Sequence, residues 1–426
     1  MLKVLPILPH ISRRLITTGS QLLWHVPECP ELDLKYLCNL EHLDEINSNI
    51  KARKGVGDIS LVLKLKENLS NLTSVDHNYE KVRRQFYDEL LKIPNRTHPS
   101  VAHLNEPITV STTGEKKTFD FKPREFYEIC KRLNFVRTDQ LGNVAGSRSY
   151  YLLGDMAELE KALISYTVSH LLDENFELVS VPDILHRDII EACGLNTHGD
   201  RTQVYSLDSE MFGPDLCLSG TSEMALAAMY ANEVIPAGRL PVKLAAVSRC
   251  YRAEASSVAE ERGIYRVHQF TKVEMFAISK PEDSNGILEE FRLIEEGNFA
   301  SLGLHLRTLD MPPNELGAPA YRKYDVEAWL PGRNMYGEVS SCSNCTDYQS
   351  RRLNIKYSDG DCVGYVHTLN GTACAIPRML IAIIETFQTD KGVISIPEVL
   401  RKYMNNRTVI GKQTAIPDLK LIKYKK

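Results

Sequence analysis

Nowhere in the 426 residues is there an apolar run of about 18 or more, the length that a helical membrane span requires. A membrane partner is therefore not expected. Positive charge is also in short supply. With histidine neutral the net charge is −4, so any contact with nucleic acid must come from local basic patches rather than bulk attraction. The ten cysteines lack regular spacing, which argues against a disulfide framework. Cys342 and Cys345 form a CxxC pair, but Cys362 and Cys374 do not supply the matching pair that a closed zinc site needs. Reduced structural thiols are expected instead. Acidic residues are missing before Glu28, while Lys3, Arg13 and Arg14 stand among aliphatic and hydroxyl residues. That composition predicts a transit peptide over residues 1–27, directing the chain to the mitochondrial matrix, with a disordered N-terminus as the alternative. A secretory signal fits less well, because Pro6 and Pro9 interrupt the short apolar stretch and both arginines follow it.

What remains has the composition of an ordinary globular chain, long enough for two or three domains. Leu34, Leu37, Leu40, Leu43 and Ile46 recur at helical spacing, predicting a helix from Asp33 to about Lys54. A second helix is expected from about Ile59 to Leu91, weakened at Ser70–Ser74 and ended before Pro94. Together they suggest a helical hairpin over residues 31–98, within an N-terminal region spanning 28–100. Beyond it, Asp155 is placed as the N-cap of a helix with Met156, Leu159, Leu163 and Tyr166 on one face. Phe176–Pro182 reads as a strand. Further strands are expected at 242–254, 266–278, 321–330 and 336–357, with helices near 287–302 and after Pro377. Strands in hairpin order with helices set apart argue for an α+β fold with an antiparallel sheet. A basic tail, 409–426, closes the chain.

Chemistry concentrates in two places. Arg252 and Glu254 stand two apart, as do His268, Phe270, Lys272 and Glu274, so in strands each set shares one face. A solvated sheet face would give the same alternation. Surrounded by apolar residues, however, such groups stay buried only if paired or bound to a ligand. The second place is Pro377-Arg378, which opens a helix with a cation at the positive end of its dipole. Either a bound anion such as phosphate or a carboxylate from within the fold would remove the conflict.

These segments carry a resemblance. The helix and strand ending at Pro182 resemble motif 1 of the class II aminoacyl-tRNA synthetases, Arg252-Ala-Glu254 with Arg266–Phe270 resembles motif 2, and Gly371–Arg378 resembles motif 3. The class I signatures HIGH and KMSKS are absent. Gly220-Thr-Ser-Glu223, Arg266–Glu274, Glu338-Val-Ser-Ser-Cys-Ser-Asn344 and Thr368–Thr372 are similar to the seryl-tRNA synthetases, and Tyr321–Asp325 and Asn344–Asp347 to their animal mitochondrial members. The resemblance spans roughly 101–408 and implies a catalytic domain that joins L-serine to ATP as seryl-adenylate, transfers it to tRNA(Ser), and works as a homodimer.

Carried over residue by residue, the resemblance makes Arg252 the α-phosphate ligand and Arg378 the γ-phosphate ligand, the two catalytic arginines. Ala253, Glu254 and Val267 would hold the nucleotide. Glu338, Val339, Ser340 and Ser341 would complete the ATP site, with Mg²⁺ at Glu338 and Ser341. The odd spacing from Glu338 to Ser341 leaves open which serine faces the metal. Thr221, Ser222, Glu223, Glu274 and Thr372 would form the serine pocket, although Thr221-Ser-Glu could equally be a helix N-cap. A catalytically inactive paralogue, acting as a binding or regulatory subunit, should have lost Arg252, Arg378, Glu274 or Glu338, and none is lost. One departure stands out: the family's long coiled-coil arm is replaced by a much shortened hairpin, whose cations, among them Arg53, are candidates for phosphate contact.

Overall fold

The computed structural model describes residues 26–27, 29–138, 146, 148–198, 202–213, 215–254 and 263–415. The leader reading for 1–25 and most of the basic tail therefore lie outside the described residues.

The N-terminal region is helical but divided differently from the expectation. The first segment breaks into a single turn, Leu34–Leu37, a 3₁₀ turn, Leu40–His42, and helix α1, Leu43–Ala52. Asn39 causes the break, because its side chain accepts from the Glu41 amide and starts a new turn. The segment expected as one helix over 59–91 is two antiparallel helices, α2 (Ile59–Ser70) and α3 (Tyr79–Leu90). Asp58 caps α2 by accepting from the Leu61 amide at 3.0 Å. Asp76 folds the tip by accepting from the Thr73 amide at 2.6 Å and its hydroxyl at 2.9 Å. The hairpin is thus α2 against α3, closed over its own small core of Ile46, Ile50, Ile59, Val62, Phe86 and Leu90.

Arg53 is not available to a ligand. It is 3% exposed, and its guanidinium donates to the carbonyls of Asn95 (2.9 Å), Arg96 (3.1 Å), Ala320 (2.8 Å) and Ala318 (3.3 Å), and at close range to Gly317. Asn95 adds contacts to the Pro319 and Cys345 carbonyls at 2.7 and 2.9 Å. These bonds rivet the helical region to the rest of the chain.

The main sheet has eight strands: β1 (Ile108–Thr113), β2 (Glu177–Val179), β3 (Val242–Tyr251), β4 (Gln269–Ser279), β5 (Leu306–Asp310), β6 (Arg322–Leu330), β7 (Met335–Asn344) and β8 (His367–Ala375). Their order across the sheet is β1-β5-β6-β7-β8-β4-β3-β2. Every neighbouring pair is antiparallel except β2 with β3 at the edge. The expected α+β architecture with an antiparallel sheet is present.

Five helices position the site: α4 (Asp155–Asp173), α5 (Glu223–Ala228), α6 (Ser284–Ser301), α7 (Tyr348–Leu353) and α8 (Ile376–Thr386). Helix α8 is apolar around nearly its whole circumference and is buried accordingly, at the centre of the largest core. Helix α4 buries Met156, Leu159, Leu163 and Tyr166, as its periodicity predicts. Its cap differs: Gly154, at φ 51°, occupies the N-cap, and Asp155 sits in the first turn, paired with Arg407 at 2.6 Å. The strand expected over 336–357 stops at Asn344; the six-residue helix α7 and a short strand, Lys356–Asp359, complete that span. Six residues are too few to display a helical period in sequence. The strand expected to run to Glu254 ends at Tyr251, and the next begins at Gln269, so Arg252–Glu254 and Arg266–His268 lie on the connection between β3 and β4.

Candidate active site

The open face of β4, β7 and β8, together with the residues just beyond β3 and β8, forms a cavity of about 250 Å³. Twelve of the candidates lie on its wall: Thr221, Glu223, Arg252, Glu254, Val267, Glu274, Glu338, Val339, Ser340, Ser341, Thr372 and Arg378. Ser222 and Ala253 do not. Ser222 opens α5 and its hydroxyl is turned inward without a hydrogen-bond partner, whereas the Ala253 amide donates to the Gln203 carbonyl at 2.9 Å. His268, which shares its alternation with Phe270, instead approaches the Tyr205 hydroxyl at 2.7 Å and the Arg252 carbonyl at 3.0 Å.

Two β-bulges determine which side chains face the cavity. Between β6 and β7 the register runs Val326↔Ser340 and then Glu327↔Glu338, leaving Val339 as the extra residue. Paired residues share a face, so the bulge places Ser341, opposite Asp325, on the same face as Glu338. That resolves the odd spacing: Ser341 accompanies Glu338, and Ser340 belongs with Val326. Between β4 and β8 the register runs Glu274↔Thr372 and then Val273↔Cys374, with Ala373 extra. Thr372 therefore faces the cavity beside Glu274, and Ala375 beside Lys272.

One end of the cavity is cationic. The Arg378 guanidinium meets the Glu338 carboxylate at 2.9 Å and lies 4.7 Å above the Tyr265 ring, whose hydroxyl donates to the Glu338 carbonyl at 3.1 Å. An internal carboxylate thus stands where the helix dipole conflict required an anion. Burial alone would raise the Glu338 carboxyl, but Arg378 and then Lys323 outweigh it and hold the group below its ordinary value. Arg252 lies 5.3 Å over the Phe270 ring, and no carboxylate pairs with it among the described residues. Glu254 faces Arg266 at 3.5 Å.

The other end holds a compact polar cluster. Lys272 and Glu274, 7% and 2% exposed at their side chains, form a close ion pair. The Thr221 hydroxyl joins them, accepting from Lys272 at 2.9 Å and donating to Glu274 at 3.0 Å. Behind them Glu223 accepts from Gln349 at 2.5 Å and Asn370 at 2.8 Å. Burial, and then the nearby Glu274, push the Glu223 carboxyl up to about 7. A raised carboxyl favours the folded state while protonated. The contribution is complete below the unfolded value near 4.5 and is lost as pH rises through about 7. Glu223→Gln should therefore lose less stability than the parent chain between pH 5 and 8; parallel urea titrations check this, and equal losses would refute it.

The sequence places Phe270 and Lys272 on the face of Glu274 without giving them a role, and gives none to Asn370, Tyr265 or Leu195, yet all five border the cavity. Lys272 and Asn370 were findable, since each stands two residues from an assigned neighbour, Glu274 and Thr372, and shares its face. Leu195 and Tyr265 come from connecting segments whose approach has no local signature.

A family model described as the tRNA synthetase class II core domain (G, H, P, S and T) matches residues 205–387. The mitochondrial serine–tRNA ligase of Mus musculus is 43% identical over 338 residues, 78% of this chain and 65% of the mouse chain. The chain thus spans just under two thirds of that relative's length. The serine–tRNA ligase of Borrelia garinii subsp. bavariensis is 37% identical over 421 residues, 87% of this chain and 97% of its own. Among solved structures, the seryl-tRNA synthetase of Pyrococcus horikoshii complexed with ATP superposes with a TM-score of 0.81 at 29% identity, covering 90% of this chain and all of that one. The match to the Borrelia protein covers nearly all of its length, and the same sheet recurs in the archaeal structure: the chain belongs to the serine–tRNA ligase family of class II aminoacyl-tRNA synthetases.

Proposed function

We propose that the chain activates L-serine with ATP and transfers the seryl group to mitochondrial tRNA(Ser). The observation that carries this reading is one cavity that gathers Arg378 with Glu338, the Thr221–Lys272–Glu274 cluster with Thr372, and Arg252, which reaches the Gly220 carbonyl next to Thr221. Activation brings the serine carboxylate onto the α-phosphate and expels pyrophosphate. Both reactants are anionic, so the site must neutralise charge and align them. Arg252 suits the α-phosphate, as its planar fork has no carboxylate partner among the described residues and makes only long contacts, at 3.4 Å, to the Gly220 carbonyl. Arg378, fixed at the first turn of α8, suits the far phosphate. Glu254 and Val267 border the nucleotide. At the opposite end Thr221, Glu274 and Thr372 surround the serine hydroxyl, and Glu223 supports them from behind. A side chain lacking that hydroxyl leaves them unpaired, which disfavours alanine.

Mg²⁺ fits the same arrangement. Glu338 and Ser341 present oxygen ligands on one face, and the neighbouring Asp325 keeps one buried carboxylate oxygen without a partner. No group of three or more His, Cys, Asp or Glu that could cage a metal occurs among the described residues. That suits an ion carried in on the phosphates and held by one or two protein oxygens. Its chemistry would be to neutralise the phosphate oxygens as charge builds.

The wider organisation follows the same reading: a matrix-targeting leader (1–27), a tRNA-binding arm (28–100), a catalytic domain (101–408), a basic tail (409–426), and a homodimer formed through α4 and β2. Mitochondrial import of a reporter fused to residues 1–27, and the mass of the mature particle, test the first and last of these. The activity is tested by pyrophosphate exchange with each amino acid in turn. Exchange should require serine, and should be restored by Mg²⁺ after chelation. Exchange driven by another amino acid, or none with serine, would overturn the assignment.

A further inference from the structure

Where β8 enters the bulge at Ala373, just past Thr372, its backbone has left the β7 ladder. The β7–β8 ladder runs from Asn344↔Leu369 to Cys342↔Gly371 and goes no further. Past that point the β7 ladder supplies no further donor to β8, and a buried carbonyl without a donor is costly. Two side chains replace the ladder. The Ser340 hydroxyl donates to the Thr372 carbonyl at close range, and Asn298 Nδ2 donates to the Ala373 carbonyl at 3.0 Å. Both are buried, Ser340 at 2% and Asn298 at 1% exposure. Ser340 itself flanks the bulge at Val339, so it ties the two bulges together.

Helix α6 reaches this position because Gly371 has no side chain. A Cβ there would come within 2.9 Å of Phe291 Cδ2 and 3.0 Å of Glu295 Oε1, so α6 packs directly on the β8 backbone. The Asn298 amide is thereby delivered to the extra residue of the bulge. Six regular pairs with β4, from Ser279↔His367 to Glu274↔Thr372, keep Thr372 on the cavity face, and the bulge shifts the residues after it, so that Ala375 rather than Cys374 stands beside Lys272.

We propose that Asn298 and Ser340 are positioning residues for substrate selection: they hold the Thr372 and Ala373 carbonyls where β8 leaves β7, and so fix the backbone from which Thr372 stands beside Glu274. Neither needs to touch the amino acid. This assigns Ser340 to the serine end of the site rather than to ATP or the metal, and it rests on the pocket reading given above.

The test is pyrophosphate exchange with separate titrations of serine and ATP for Asn298→Leu, Ser340→Ala and their combination, with Thr372→Val alongside. Loss of one buried hydrogen bond should raise the serine KM about tenfold, while the ATP KM stays within about twofold. The combination should be little worse than the more damaging single change, since both act through one bulge. Discrimination between serine and alanine should narrow in every variant. Should Asn298→Leu fail to fold, Ser340→Ala, which removes a single oxygen, carries the same test. An ATP KM that rises as much as the serine KM would overturn the inference and return Ser340 to the nucleotide. Serine-specific loss in Thr372→Val with unchanged serine KM in the other variants would also overturn it, leaving the pocket intact. Absence of any serine-specific loss in Thr372→Val would overturn the pocket itself, and the inference with it.

Discussion

Replacing Arg378 by alanine should lower serine-dependent pyrophosphate exchange by about 100-fold or more, with little change in serine KM. The guanidinium is anchored at the first turn of α8, a helix buried on nearly every side, so its position is set before ATP arrives. Preorganised charge of this kind acts on the transition state without reorganising, and its removal costs roughly 2.7 kcal/mol per 100-fold in rate. The change also strips Glu338 of its main positive neighbour, leaving a carboxylate facing an incoming polyphosphate. Arg378→Lys should recover only part of the loss, because a point charge cannot reproduce the two-pronged contact. Arg252→Ala should be similarly damaging. Exchange within a fewfold of the parent in Arg378→Ala would place the far phosphate elsewhere.

The features legible in the sequence are those with a period or a distinctive residue type. Helix α4 displays its buried face through Met156, Leu159, Leu163 and Tyr166, and proline marks the start of α8. The alternation of Phe270, Lys272 and Glu274 survives because β4 pairs regularly with β3 throughout. What was not legible is set by contacts distant in sequence. Alternation alone would put Glu338 and Ser341 on opposite faces; only the bulge at Val339 unites them, and nothing about valine announces it. The Ala373 carbonyl takes its donor from Asn298, 75 positions away. Arg53 looks like any surface cation until the carbonyls of Gly317, Ala318 and Ala320 enclose it. The cap at Gly154 was missed because Asp155 has the better side chain for capping, while the chain there needs a positive φ, which glycine adopts without strain.

Removing residues 31–98 should abolish serylation of tRNA, by about 100-fold or more, while pyrophosphate exchange is retained. Helices α2 and α3 have 12 residues each, so at 1.5 Å per residue the arm projects about 18 Å. That is shorter than the 59–91 helix, weakened at Ser70–Ser74, that the sequence leads one to expect, because the Asn71–Asn78 segment turns the chain back on itself. An arm of this length suits the elbow of a compact tRNA better than a distant variable stem. Its exposed cations, Lys64 and Lys66 on α2 and Lys81 and Arg84 on α3, would on this reading supply the phosphate contacts that dominate RNA affinity. Arg53 takes no part in them, but its carbonyl bonds hold the arm to the catalytic domain and fix its angle. Arg53→Leu should therefore raise the tRNA KM while leaving exchange near its parent rate, a milder form of the same defect. Among the described residues the activation cavity draws on none before Leu195, which is why exchange should survive the deletion. Both reactions are measured side by side on the deleted and the Arg53→Leu chains at several salt concentrations. Undiminished serylation of a compact tRNA by the deleted chain would show that the arm does not hold it.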